Sequence, residues 1–490
     1  MTGSALRRAI SATLMPGFAG TTLPAWLERE LADGLGSACL FGGNIADADQ
    51  VRTLTGAIHA ANPSAVIATD EEGGDVTRLH HHEGSPYPSM AYLGHLDDLA
   101  VTEETGRGIG RELAAAGVDL NLAPDADVNS NPRNPVIGIR SFGADASLVA
   151  RHVAAYTRGL QSAGVGAVAK HFPGHGDTAT DSHLAVPTIG VSPDVLAARE
   201  LVPFEAAVAA GTLGVMTSHI LVPAIDPALP ATLSASVLGL LRGRLGFRGV
   251  IVSDALDMAG ASGGRGIPAA AALALAAGVD LLCIGTDNTP DQLDAIRAEV
   301  LRAVREGELT EDRVFEAAER VTGLSATIAS LRRAAPPSRV GPAAVPPLSP
   351  AGFWLREPVR PMPSPVFLRL DSTANIAAGD TAWGVAEHLR PELDRRLPGA
   401  TCLTAATPDE VARAVDAAEG RPLVLQGRDL ARVGFLASAT AMVLQRRPDA
   451  LVVELGWPEF GGGPPLAVAT YGSGRGAATC LIQLLAEGTR

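Results

Sequence analysis

One pattern governs residues 13 to 285: a short apolar run, a loop rich in Gly, Asp, His or Asn, then an Ala/Leu/Arg-rich helical stretch, over and over. The apolar runs are TLMPGF (13–18), ACLFGG (38–43), AVIATD (65–70), VDLNLAP (118–124), GAVAKHF (166–172), GVMTSHI (214–220), GVIVSD (249–254) and VDLLCIG (279–285). Several are continuous and do not alternate, as expected of strands buried on both faces of a parallel sheet. Eight such strands alternating with helices predict a (β/α)8 TIM-type barrel, whose active site lies where strands end and the following loops begin. An open doubly wound sheet is the competing arrangement, and the absence of GxGxxG after the first strand counts against it.

Thr289 and Pro290 read as the cap and first turn of a helical region that runs to about Arg333. Composition then changes: ten of the thirty residues from Pro336 to Pro365 are proline, the mark of an extended connector. Beyond it PLVLQG (422–427), ALVVELGW (450–457) and LAVATYG (466–472) read as buried strands between helical patterns such as TPDEVARAVDAAEG. The expected organisation is a catalytic barrel over 1–335, a Pro-rich linker over 336–365 and a smaller C-terminal α/β domain over 366–490. GSGRG (472–476) looks like a phosphate loop but is more simply a strand-to-helix turn.

The formal net charge of −14 argues against nucleic acid or an anionic membrane as the main partner. Cys39, Cys283, Cys402 and Cys480 are scattered without a CxxC pair, which fits free thiols in a reducing compartment. The N-terminal MTGSALRRAISATLMPGFAG lacks the apolar stretch and cleavage site of a secretion signal, and no segment is apolar for long enough to span a membrane. A soluble cytoplasmic protein is expected.

Polar residues at the predicted strand ends form a coherent set: Asp70, Asp125 and Asp127, Lys170 and His171, His219, and Asp254. A metal site is not expected. His171 and His175 are four apart, but Pro173 and Gly174 between them disfavour the helix that would align them, and His80 to His82 read as a solvated loop. No cofactor is expected either. In Asp181-Ser182-His183, side chains two apart in an extended loop point the same way, so the carboxylate can orient the imidazole and make it a general acid/base. Asp254 arrives on an apolar strand as a candidate nucleophile, with Asp257 as its rival. A carboxylate nucleophile with an acid/base partner is the arrangement of retaining glycoside hydrolysis.

KHFPGHGDTATDSH (170–183) and GFRGVIVSDALDM (246–258), with TDEEGGDVTRL (69–79) and VIGIRSFG (136–143), closely resemble the β-N-acetylglucosaminidase branch of family 3 glycoside hydrolases. The resemblance spans about residues 10 to 330. It implies a barrel with Asp254 as nucleophile, His183 as acid/base and Asp181 as its partner. It also implies Asp70, Arg78, Arg140, Lys170 and His171 as ligands of the acetamido sugar. The chain departs from the family pattern at Glu71 and Asp75, where Gln and Arg are usual, making the motif more negative. The activity implied is exo-acting, retaining removal of terminal N-acetylglucosamine from cell-wall fragments, as in peptidoglycan recycling, or from chitooligosaccharides. Two alternatives remain: a phosphorylase with phosphate in place of water as acceptor, since an imidazole does not repel a phosphate dianion, and a catalytically silent sugar-binding barrel.

Overall fold

The computed structural model describes residues 3–179, 186–336, 347–371, 377–432, 434–460 and 465–489. The chain divides into two compact units. The first is Met1–Glu71, Leu99–Ile137 and Ala144–Ala344; the second is Glu72–Asp98, Gly138–Gly143 and Val345–Arg490.

The first unit contains β1 (Leu14–Pro16), β2 (Ser37–Leu40), β3 (Val66–Thr69), β4 (Leu120–Asn121), β5 (Gly166–Phe172), β6 (Gly214–Thr217), β7 (Val250–Val252) and β8 (Leu282–Gly285). Strands β2 to β7 pair in sequence order, all parallel. A parallel bridge from Val252 to Leu281 leads on to β8, which pairs in parallel with β1. This is the expected (β/α)8 barrel; seven of the eight strands fall within their apolar runs, and β2 begins one residue before its own. All their residues are buried.

The barrel interior is filled by Met15, Cys39, Ala68, Leu120, Val168, Met216, Val252 and Cys283 together with Val321, Leu324 and Ile328 of the helix Glu311–Ala334. At Gly166, the first residue of β5, an added Cβ would lie 2.8 Å from Leu120 and 3.5 Å from Ile328. The helix therefore closes the N-terminal mouth. Around that mouth Asp280 accepts from Arg242 (2.5 Å), Arg313 (2.6 Å), Arg320 (3.0 Å) and the Ile251 amide (2.9 Å). Asp119 pairs with Arg332 (2.8 Å), His59 (2.9 Å) and the Ile67 amide (2.8 Å). One end is thus sealed by apolar packing and saturated ion pairs, and the C-terminal rim is left for chemistry.

The second unit is an α/β layer around β9 (Trp354–Leu355), β10 (Val366–Leu370), β11 (Thr401–Ala405), β12 (Leu423–Gly427), β13 (Leu451–Glu454) and β14 (Val468–Ala469). Its strand order is β11-β10-β12-β13-β14-β9, parallel except for the antiparallel β9. Strands β12 to β14 match the sequence reading, whereas β9, β10 and β11 were not anticipated. Two residues are too few to show a period in β9, and β10 follows directly on the prolines. The edge strand β11, TCLTA, is half exposed and reads as polar. Part of the Pro-rich stretch is thus built into this sheet through β9.

Candidate active site

Each rim residue owes its place to the strand before it. Asp70 follows β3 directly, Lys170 and His171 lie near the end of β5, His219 stands two residues past β6, and Asp254 two residues past β7. The parallel ladder sets these ends side by side.

Lys170 is almost fully buried, at 2% exposure, and its Nζ donates to Asp70 Oδ1 at 2.7 Å. A buried ammonium is tolerable only with such a partner. The next residue, His171, directs Nδ1 to Asp127 Oδ2 at 2.7 Å, which fixes the imidazole's orientation. Burial pushes the Asp127 carboxyl up, but the charge and hydrogen bond of His171 outweigh it and hold it below the usual carboxylate range. Asp127 Oδ1 also accepts from the backbone amides of His171 (3.2 Å) and His175 (2.5 Å). His175 is wholly buried and its pKa is lowered to about 4, chiefly by desolvation, so it is neutral at physiological pH. Its Nδ1 lies 2.8 Å from Thr178 Oγ1. His175, the second histidine of the motif, is therefore a structural lock.

Two carboxylates competed for the nucleophile role. Asp257 is exposed and accepts from the Thr286 amide at 3.2 Å, bracing the turn after β8. Asp254 is half-buried, and its Oδ1 accepts from the Ala255 amide at 2.8 Å. The peptide carbonyl of that same Ala255 accepts from His219 Nε2 at 3.0 Å, while His219 Nδ1 lies 2.9 Å from Thr232 Oγ1. His219 thus holds the backbone beside Asp254.

Asp125, Asp127 and His171 bring their ligand atoms within 4.8 Å of one another, close enough for a cation. The hydrogen bonds to Asp127 already use His171 Nδ1 and both Asp127 oxygens, so an ion there would have to displace them. The arrangement reads as a carboxylate–imidazole pair.

Arg78 and Arg140 belong to the second unit. Arg140 is buried and gives Glu72 a forked pair, Nε to Oε2 at 3.0 Å and Nη2 to Oε1 at 2.8 Å. Arg78 donates to the Ala377 carbonyl at 2.9 Å. Asp75, one of the departures from the family motif, accepts from the Ser473 amide (2.8 Å), Ser473 Oγ (2.6 Å) and Arg428 (3.3 Å). Its negative charge is thus taken up within the second unit. The same contacts fill the GSGRG turn with a carboxylate of the chain itself, so it is a strand-to-helix turn. Asp181 and His183 lie outside the described residues.

Sequence reasoning did not find Glu72 as the partner of Arg140, or Arg199 and Glu200, which reach the His-rich segment from another part of the chain. Only the run of three acids at 70–72 could have pointed to Glu72.

Comparison with known proteins agrees with this geometry. Residues 23–324 match the glycosyl hydrolase family 3 N terminal domain. A beta-hexosaminidase of Stenotrophomonas maltophilia (strain K279a) is 38% identical over 283 residues, 55% of this chain and 82% of that protein. Beta-hexosaminidase A of Pseudoalteromonas piscicida is 34% identical over 332 residues, 62% of this chain; the chain spans only 55% of that relative's length. Among solved structures, a glycoside hydrolase family 3 beta-N-acetylglucosaminidase from Paenibacillus sp. str. FPU-7 superposes with a TM-score of 0.85 at 30% identity, covering 99% of this chain and 98% of the other. With its barrel, its strand-end carboxylates and a family match over most of the first unit, the chain belongs to glycoside hydrolase family 3.

Proposed function

We infer that this protein is an exo-acting, retaining β-N-acetylglucosaminidase. The observation that carries the reading is Asp254, a half-buried carboxylate just past β7, on the same strand-end rim as the Lys170–Asp70 and His171–Asp127 pairs. Such a rim offers an acceptor for sugar hydroxyls in Asp70 and donors in Lys170 and His171. Arg78 and Arg140 keep the sugar-binding role that the family resemblance gives them.

In the first step the Asp254 carboxylate bonds to the anomeric carbon as the glycosidic bond breaks, and the His183 imidazolium gives its proton to the leaving oxygen. In the second, the neutral imidazole takes a proton from water as that water attacks the anomeric carbon and frees Asp254. Asp181 orients the ring and stabilises its charged form. The substrates proposed are N-acetylglucosaminides of cell-wall fragments or chitooligosaccharides. Among the described residues no helix is long and apolar enough to cross a membrane. The thiols of Cys39 and Cys283 meet unpaired inside the barrel, which fits a reducing compartment such as the cytoplasm.

Proton NMR of turnover on p-nitrophenyl β-N-acetylglucosaminide, with and without phosphate, tests the reading. Free sugar should appear first as the β-anomer at a rate indifferent to phosphate. The α-anomer as first product would overturn retention, and sugar 1-phosphate would make the protein a phosphorylase.

A further inference from the structure

The segment leading to Asp181 and His183 is held from below by two residues that the reaction does not itself use. Arg199 donates Nη2 to Asp177 Oδ2 at 2.5 Å and Nε to Glu200 Oε1 at 2.6 Å. Glu200 is buried at 1% exposure, and its other oxygen, Oε2, makes no hydrogen bond. That oxygen lies where a side chain on residue 174 would have to go: a Cβ added to Gly174, whose φ is +126°, would stand 2.8 Å from it. The Pro173-Gly174 turn thus rests directly on the Glu200 carboxyl.

Local helix geometry makes this double contact possible. Arg199 and Glu200 end a π-helical stretch, Leu196–Glu200, that leads into the helix Leu201–Ala209. Such wide turns inside helices occur frequently at functional sites. On the other side, Asn134 Nδ2 donates to the carbonyls of His175 (2.8 Å) and Gly176 (3.2 Å). Residues 173–178 are therefore clamped from both sides.

Stability alone accounts poorly for this arrangement. The Arg199–Asp177 pair is partly exposed, with side chains at 27% and 29%, and such pairs contribute about 0–1 kcal/mol. Burying the Glu200 carboxyl is unfavourable: desolvation, reinforced by the charges of Asp127 and Asp177 and opposed by Arg199, pushes its pKa up to about 7. An arrangement that stabilises so little is better explained by what it positions.

We propose that Arg199, braced by Glu200, is a positioning residue for proton transfer, anchoring Asp177 so that the Asp181–His183 pair meets the glycosidic oxygen in register. This rests on the reading of His183 as the acid/base. Asp177 precedes Asp181 by four residues, which span at most about 14 Å of chain. Misplacing a catalytic group by about 1 Å can lower a rate by about 10²-fold.

The test compares kcat on p-nitrophenyl β-N-acetylglucosaminide, whose leaving group needs little protonation, with kcat on chitobiose, whose leaving group needs a full proton. Arg199→Ala should lower chitobiose turnover by about 30- to 100-fold and nitrophenyl turnover by less than about threefold. Glu200→Gln keeps an acceptor for Arg199 Nε and should lose much less. Should Arg199→Ala not fold, Asp177→Asn removes the same anchor's charge and should show the same asymmetry in weaker form. Equal losses on both substrates, or no loss on either, would overturn the proposal. His183→Ala is measured alongside. If it discriminates between the substrates and the anchor variants do not, the positioning role alone falls. If His183→Ala treats both alike, the acid/base reading falls and the proposal with it.

Discussion

At the closed N-terminal mouth of the barrel, Asp280 is fully buried among Arg242, Arg313 and Arg320. At the open C-terminal rim, Asp254 is half-buried and takes a hydrogen bond from the next residue's amide. Both carboxylates come from neighbouring parallel strands, one before β8 and one after β7. Three guanidinium groups surround the first and tie its oxygens into the scaffold. The second, the proposed nucleophile, stands half-buried at the rim, where its Oδ1 accepts from the Ala255 amide. Placement along the strand, more than residue type, separates the structural acid from the proposed nucleophile, and substitutions at the two ends should therefore separate stability from activity.

The largest effect should be at the rim. Asp254→Asn is expected to reduce turnover on the order of 10⁴-fold while moving the melting temperature by no more than a few degrees; steady-state assays with calorimetry check both. Comparable residual activity in Asp254→Asn and wild type would break the comparison outright.

The converse holds at the closed mouth. Asp280→Asn leaves three arginines short of a partner and should cost about 3–5 kcal/mol of stability, read by urea unfolding, with kcat of the folded fraction unchanged within about twofold. A large fall in kcat would mean that the closed end influences the chemistry.

Lys170→Ala lies between these extremes. It removes the 2.7 Å partner of Asp70 and a proposed donor to the sugar. The expected outcome is a roughly 10²-fold loss in kcat/KM together with about 1–3 kcal/mol of stability. A loss confined to stability would sink the sugar-binding role.

The smallest effect is on the pH dependence of stability, and it sets the rim against the second unit. His175 titrates near 4 when folded against about 6.5 unfolded, so it binds fewer protons in the folded state and its contribution is lost as pH falls from about 6.5 towards 4. Glu454 in the second unit behaves oppositely. Burial, with Asp429 beside it, raises its carboxyl to about 8 despite backbone N–H bonds from Asp429, Leu430 and Gly456. The folded state then holds a proton that the unfolded chain releases above about 4.5, and stability declines as pH rises through 8. Denaturant unfolding between pH 5 and 8.5 should show both slopes, with Glu454→Gln flattening the alkaline one. An alkaline slope that survives this substitution would point to another group.

Much of this was legible in the sequence where burial leaves a simple pattern. The barrel strands are buried on both faces and appear as unbroken apolar runs, and their ends bring Asp70, Lys170, His171 and Asp254 forward in order. In the second unit the pattern fails where strands are short or at an edge, as in Trp354–Leu355 and the half-exposed TCLTA. Long-range partners leave no local trace. Nothing near Asp75 in the sequence announces Ser473, almost four hundred residues on, and nothing near Asp177 announces Arg199. The assignment of Asp181 and His183 rests on motif and resemblance.

The central claim is that Asp254 becomes covalently bonded to the sugar. A 5-fluoro N-acetylglucosaminyl fluoride, which forms the glycosyl-enzyme faster than it is released, followed by peptic digestion and mass spectrometry, tests this most directly. The account predicts one sugar adduct on the peptide that contains Asp254, located on that residue by fragmentation and absent in Asp254→Asn. An adduct on Asp257, or rapid turnover with no adduct and inversion at the anomeric carbon, would contradict it.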